Sequence, residues 1–308
     1  MAIKIGLIGS QNLKELIVKE FSSEKYQFFD LEPKKALNNF IFNKFYKLVF
    51  FLKQIRQIDI LYCIFIRKNT WVYTRIANIQ KKKVVYHWAG TDLYNVQLCK
   101  YTFGSHREVV DIHCAYANNL HDELKTMGID SYVFPIVPID IDSSSSVMPP
   151  RHAVLISIPD DVEERADFYG YSETIEIIKT FPQIPFYITR SIHPEKYQYD
   201  NVVFKGQISS AEMNKLYDEI SIVIRLPKHD GQSLLLMEGT IKGKYLIYNH
   251  TMPYTFHVDN VNEAIKVMNE IVEEVPEIQN DERRYGLENY NIDICKKKFD
   301  HLISLLFH

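Results

Sequence analysis

Cysteine is scarce in this chain: four among 308 residues, Cys63, Cys99, Cys114 and Cys295. None forms a Cys-x-x-Cys pair or a metal-ligand spacing, which excludes a disulfide framework and a cysteine zinc site and leaves buried, reduced thiols as the expectation. Glycine is also scarce, at 11, so low complexity and extended disorder are excluded over most of the chain. Positive charge is not in excess: 36 Lys and Arg face 39 Asp and Glu, a formal net charge of −3. A binder of nucleic-acid backbones carries a basic surplus, so no nucleic-acid partner is expected. No segment approaches the ~18 uninterrupted apolar residues of a membrane-spanning helix; the nearest is broken by Lys44, Lys47 and Lys53. The start, Met1 to Gly9, lacks the charged region, long apolar centre and cleavage site of a signal peptide, which makes the cytoplasm the expected location. The histidines do not pair at helical metal spacing with a third ligand, so no metal is expected. The serines at 143–146 have no glycine-flanked nucleophile elbow.

What is present is alternation. Short apolar runs exchange with amphipathic stretches from the first residue on, the pattern of βαβ units building parallel sheets. The expected strands of the first half are Ile3 to Ile8, Tyr26 to Leu31, Ile58 to Ile66, Lys83 to Trp88, Asp111 to Ala115 and Tyr132 to Phe134. A break from Ile136 to Pro150, with Pro138, four serines and Pro149-Pro150, is longer than a compact α/β connection and marks a domain boundary. A second series follows, with strands near Ala153 to Ile158, Phe186 to Thr189, Val202 to Lys205, Ser221 to Arg225 and Tyr245 to Asn249. Ser209-Ser210-Ala211-Glu212 is a capping-box arrangement and predicts a helix from about Ser210 to Asp218. The domains expected are 1–140 and 151–280, with a helical tail, 281–308, that by analogy packs back across the hinge.

The stretch Arg225 to Gly239 carries the most chemistry. An apolar strand ends and delivers Asp230 and Gly231 to the carboxyl edge of a sheet, where open α/β folds bind ligands. An apolar helix then opens, and its first amides, near Gln232 and Ser233, are free to attract phosphate. Glu238, about two turns along, and Asp230 are carboxylate acceptors suited to paired hydroxyls, Glu238 for a ribose and Asp230 for a hexose. Together they describe a cradle for a sugar nucleotide. The plainer alternative is a helix with an acidic start and a second acid on its solvent face.

Val202 to Gly206, Met213 to Tyr217, Ile222 to Arg225, Asp230 through Glu238 and Lys242 to Ile247 resemble the retaining glycosyltransferases of family 4. In the first half, His87-Trp88-Ala89-Gly90-Thr91-Asp92, Asn118-Asn119-Leu120, Met127-Gly128-Ile129 and Val133-Phe134-Pro135 do the same. The resemblance implies the GT-B fold, an α/β architecture of two Rossmann-like domains facing each other across a cleft. It also implies a nucleotide-sugar donor, UDP- or GDP-linked, held by the C-terminal domain, with no further cofactor. A hydroxyl acceptor, glycan or lipid-linked glycan, is implied for the N-terminal domain, with retention of configuration. By the same resemblance Asp230 contacts the donor sugar and Glu238 the ribose. The arginine and lysine that follow the first strand of the C-terminal domain in that family are missing here; Ser157 to Gly170 is acidic, and Tyr169 stands where the lysine is expected. Arg165, Arg190, Arg225 or Lys228 would have to replace them, with Arg225 and Lys228 favoured because they adjoin Asp230.

Three further features are read two ways. His87 and Asp92 are either a satisfied polar pair at a strand end or a contact to donor sugar or acceptor. Gly6-Leu7-Ile8-Gly9 lacks the third glycine of a dinucleotide fingerprint, which disfavours NAD; in a GT-B frame the amides near Gly9 and Ser10 would approach donor phosphates or acceptor. Residues 39–56 interleave aromatics with Lys44, Lys47, Lys53 and Arg56, a core helix first and a peripheral membrane contact second. The expected function is a glycosyltransferase. The alternatives are a non-catalytic binding or scaffold protein in glycan assembly, and a nucleotide-sugar hydrolase or epimerase on the same fold.

Overall fold

The computed structural model describes residues 2–33, 40–98, 109–135, 145–161, 163–231 and 233–307. The chain forms two compact units, Met1–Pro138 with Ile292–His308, and Ile139–Asn291. In the first, β1 (Ile3–Gly9), β2 (Tyr26–Asp30), β3 (Ile60–Ile64), β4 (Lys83–Trp88), β5 (Ile112–Ala115) and β6 (Tyr132–Val133) build a parallel sheet in the order β2-β1-β3-β4-β5-β6. Its helices are α1 (Gln11–Phe21), α2 (Phe40–Gln54), α3 (Thr70–Ile79), α4 (Thr91–Gln97) and α5 (Asn118–Thr126). Every residue of β3 is buried. Such an unbroken apolar run is what a strand covered on both faces requires.

The second unit holds β7 (Val154–Ser157), β8 (Phe186–Thr189), β9 (Val202–Gly206), β10 (Ile222–Arg225), β11 (Tyr245–Tyr248) and β12 (Phe256–His257), again parallel, in the order β12-β11-β10-β7-β8-β9. Residues alternate between two cores. Ile156, Ile222, Ile224 and Ile247 pack on one face and Leu155, Val223 and Leu246 on the other, which is the two-residue period of a strand. Around this sheet lie α6 (Glu163–Phe168), α7 (Tyr171–Thr180), α8 (Ser210–Glu219), α9 (Leu234–Ile241), α10 (Val261–Val272) and α11 (Asn280–Asn289). Helix α8 starts on the expected capping box, with Ser209 and Glu212 satisfying each other's amides. The short edge strand β12 carries no sequence signal.

The C-terminal segment divides. Helix α11 stays with the second unit, its Gly286 against Thr240 and Ile241. Helix α12 (Ile292–Leu305) belongs to the first, burying Cys295, Phe299, Leu302 and Ile303, a helical stripe. Phe299 lies 4.8 Å from the Phe21 ring and 5.2 Å from Tyr26, whose hydroxyl donates to Asp300 at 2.6 Å. Cys63, Cys114 and Cys295 are buried thiols; Cys99 lies outside the described residues.

Two buried lysines fix the segment that enters the second sheet. Lys242 Nζ donates to the Ser145 carbonyl at 3.0 Å and Lys244 Nζ to that of Val147 at 2.5 Å. Lys242-Gly243-Lys244 is thus a structural clasp. On α11, Glu282 is buried, and its Oε1 has no hydrogen-bond partner among the described residues. Burial raises its carboxyl from an ordinary 4.5 to about 9. A folded-state pKa above the unfolded value means that the native protein holds a proton the unfolded chain has lost. Stability from this group is therefore complete below pH 4.5 and is lost as pH rises toward 9. Glu282→Gln is expected to stabilise the protein by roughly 1–3 kcal/mol at pH 8, with the gain vanishing below pH ~4.5. Urea titrations at both pH values check this; equal stabilities at pH 8 would refute it.

Candidate functional site

In the second sheet β7 is the first strand and has β8 on one side and β10 on the other. Connections leave it in opposite directions, and such a switch point opens a crevice at the carboxyl edge. The residues following β7, β8 and β10 converge there. Gly170, between α6 and α7, has φ +79°, and a Cβ on it would lie 2.4 Å from the Leu226 carbonyl oxygen. Glycine thus lets the α6–α7 turn lie against the segment after β10, where the Lys228 amide donates to the Phe168 carbonyl at 2.8 Å.

That contact places Tyr169 among arginines. The Arg225 guanidinium is 5.1 Å from the Tyr169 ring centre and that of Arg165 is 5.9 Å away. Arg190, just after β8, has a left-handed backbone, φ +65°, held by its own amide to the Gly206 carbonyl at 2.7 Å and by Gln207 Nε2 to its carbonyl at 2.8 Å. A non-glycine residue so held costs about 1–3 kcal/mol and clusters at functional sites. Desolvation lowers the Arg190 pKa, Tyr169 opposes this, and the positive charges of Arg225 and Arg165 lower it further.

Three carboxylates of this edge, Asp230, Asp161 and Asp160, are already engaged. Asp230 takes a bidentate bond from Arg225, Nε at 2.5 Å and Nη2 at 3.1 Å, and a third from the Tyr248 hydroxyl at 3.3 Å. Burial works against the Arg225 charge, but Asp230 outweighs it and the guanidinium pKa is raised. Arg165 pairs with Asp161 at 2.7 Å. Asp160 is fully buried and accepts from Ser191 Oγ and the Ile192 amide, so it serves the loop. Two acids of the stretch that follows β7 are thus engaged, Asp160 by its own loop and Asp161 by Arg165. Arg190 forms no ion pair with a described residue, although the charge of Asp161 acts on it. Lys228 is exposed, and Gly231 and Ser233 are buried. Ser233 is the N-cap of α9, and Gln232 lies outside the described residues. Glu238, half-buried on α9, accepts from the Tyr217 hydroxyl at 2.9 Å.

The first unit treats its expected site residues differently. His87 has no exposed surface; its Nδ1 is 2.7 Å from the Tyr62 hydroxyl, and burial drives its pKa down to about 3, so the ring is neutral. Asp92 is equally buried and accepts from the amides of Ile66 at 2.8 Å, Ala89 at 3.0 Å and Gly90 at 2.9 Å. Burial raises its carboxyl to about 6, against the pull of those amides. Both are buried polar groups that tie the ends of β3 and β4 together. The amides of Gly9 and Ser10 are likewise taken, by Glu32 Oε2 at 2.8 Å and by the Ile64 carbonyl at 3.1 Å.

Around Gly9 lies a network without a sequence motif. Buried Lys14 bridges Asp30 at 2.8 Å and Glu32 at 3.0 Å, and Arg67 donates to the Gly9 carbonyl at 2.8 Å. Its legible signal was an acid at the end of β2 and another just beyond it. This network floors a pocket of about 520 Å³ at the β1/β3 switch point, walled by α2 and the start of α3.

The fold has solved counterparts. Sucrose-phosphate synthase from Thermosynechococcus elongatus aligns over 99% of both chains with a TM-score of 0.70 at 11% identity. UDP-GlcNAc 2-epimerase from Neisseria meningitidis, solved with UDP-GlcNAc, aligns over 100% of both with a TM-score of 0.59 at 12% identity. S. aureus TarM, solved with UDP and alpha-GlcNAc-glycerol, aligns over 80% of this chain at 14% identity and a TM-score of 0.60; the chain spans 55% of TarM's length. Likeness at such identities establishes the fold, GT-B with two Rossmann-like domains. No family model matches the sequence, and no curated protein does.

Proposed function

We propose that the protein is a glycosyltransferase that moves a sugar from a nucleoside diphosphate donor, UDP- or GDP-linked, to a hydroxyl of a glycan or lipid-linked glycan, with retention of configuration. The carrying observation is the arginine cluster around Tyr169 at the switch point of the second unit, in which Arg190 forms no ion pair with a described residue. A diphosphate gives Arg190 an anionic partner, and guanidinium forks bind it through charge-assisted hydrogen bonds. Arg225, oriented by Asp230, and Arg190 meet the diphosphate and stabilise it as the glycosidic oxygen departs. Asp230 accepts from the hexose, and Glu238, oriented by Tyr217, accepts from the ribose. Lys228 and the α9 start with Gly231, Gln232 and Ser233 complete the donor side. The protein works in the cytoplasm, with peripheral membrane contact through the segment that contains α2. That helix exposes Phe42 and Phe45, each 65%, and no helix among the described residues is long and apolar enough to cross a membrane.

Arg190→Ala is expected to weaken UDP binding roughly 10–100-fold, the strength of a charge-assisted hydrogen bond, while leaving uridine affinity unchanged. Calorimetry with UDP, GDP and uridine reads both. Equal UDP affinity for native and variant protein removes the cluster from the donor site. UDP-sugar turnover without acceptor would favour the epimerase or hydrolase reading, in keeping with the full-length alignment to the epimerase. Absence of any nucleotide binding would favour a scaffold.

A further inference from the structure

The pocket of the first unit differs in character from the arginine cluster. Its lining takes Lys44, Lys47 and Leu48 from α2, and Arg67 and Lys68 from the segment between β3 and α3. Tyr73 and Val72 of α3 and Ile8 of β1 add apolar surface. Among the described residues one carboxylate lines it, Glu32, and that group is spent internally on Lys14, the Gly9 amide and, at 3.4 Å, Arg67. Lys47 and Lys68 make no ion pair with a described residue. Cations contributed to one pocket by two separate elements, beside a carboxylate that is already neutralised, favour an anion there. A volume of about 520 Å³ is in the range of small-molecule sites, roughly 300–1,000 Å³, and exceeds that of a bare inorganic ion.

We propose that this pocket takes a phosphate-bearing acceptor, with the phosphate held between Lys47 and the Arg67-Lys68 pair and the rest of the molecule on Leu48, Val72 and Tyr73. The identification of the ligand as an acceptor rests on the transferase reading above; the anion site itself does not. The phosphate could belong to a soluble ester or to a lipid headgroup, because α2 exposes Phe42 and Phe45, and aromatic side chains near lysines suit a headgroup layer.

The test uses the full chain and three probes: glycerol 3-phosphate, vesicles of phosphatidylcholine with phosphatidic acid, and vesicles of phosphatidylcholine alone. Saturable binding of glycerol 3-phosphate, or binding to the phosphatidic acid vesicles alone, is expected; the first identifies a soluble ester and the second a headgroup. The charge reversal Lys47→Glu with Lys68→Glu is expected to weaken that binding at least 10-fold, and the milder Lys47→Gln with Lys68→Gln to weaken it less. UDP affinity should stay unchanged in both, which also reports that the variants are folded. Binding that is indifferent to the charge reversal overturns the proposal, as does equal binding to both vesicles with none to glycerol 3-phosphate. Loss of the UDP interaction in native protein with phosphate binding retained would instead sink the donor reading and leave the anion site standing.

Discussion

Arg225→Met is expected to destabilise the second unit by about 3–5 kcal/mol, the cost of stripping one partner from a buried ion pair. The side chains of Arg225 and Asp230 are each only 12% exposed, and their bidentate contact at 2.5 Å and 3.1 Å supplies most of the hydrogen bonding shown for that carboxylate. Without the guanidinium, Asp230 is a largely desolvated carboxylate that has lost its charged partner. The paired change Arg225→Met with Asp230→Leu should recover most of the loss, because neither charge is then left alone. Both variants should bind UDP poorly. Comparing urea midpoints with calorimetry therefore separates the two roles of the pair, stability and ligand contact. A single-variant loss below about 1 kcal/mol would mean that the pair is solvated and that Asp230 is not held for a ligand.

Gly9→Ala is expected to be the most damaging small substitution in the first unit. A Cβ there would lie 1.6 Å from the Ile64 carbonyl oxygen, and φ is +125°, a region L side chains rarely enter. The obstacle is backbone of β3, paired to β1 along its length, so it cannot swing aside. Gly6→Ala offers the control. Its added Cβ would meet side-chain methyls, Leu31 Cδ1 at 2.5 Å and Ile58 Cδ1 at 2.6 Å, which can shift at the cost of overpacking, roughly 1–3 kcal/mol. The Gly9 variant should lose more than about 3 kcal/mol, since strained φ and a backbone clash add. Thermal melts of the two variants measure the difference. A Gly9→Ala protein as stable as Gly6→Ala would contradict the close approach of β1 to β3.

Much of the fold was readable before any coordinates. Lys83–Trp88 and Phe186–Thr189 are strands with the expected bounds, and Ser209 caps α8 with Glu212. These signals are local: an apolar run between turn residues, or a serine three positions from a glutamate. The site was legible only in part. Asp230 and Arg225 do meet, five residues apart on one strand end, while His87 and Asp92, equally suggestive in sequence, lie in the core. A histidine at a strand's end reads the same whether its ring faces solvent or Tyr62. The acids after β7 read as a repulsive patch, yet Asp160 bonds its own loop and Asp161 neutralises Arg165.

By itself, then, the chain's pattern determined two runs of βαβ units, the strand ends at their carboxyl edges, and the spacing of its cysteines and histidines, because each depends on neighbours within a turn or two. Tertiary structure decided which charges share a site. Arg165, Arg190 and Arg225 are far apart in sequence and converge on Tyr169 only because β7 takes its place between β8 and β10. Strand order is set by long-range burial of both sheet faces, which no local motif encodes.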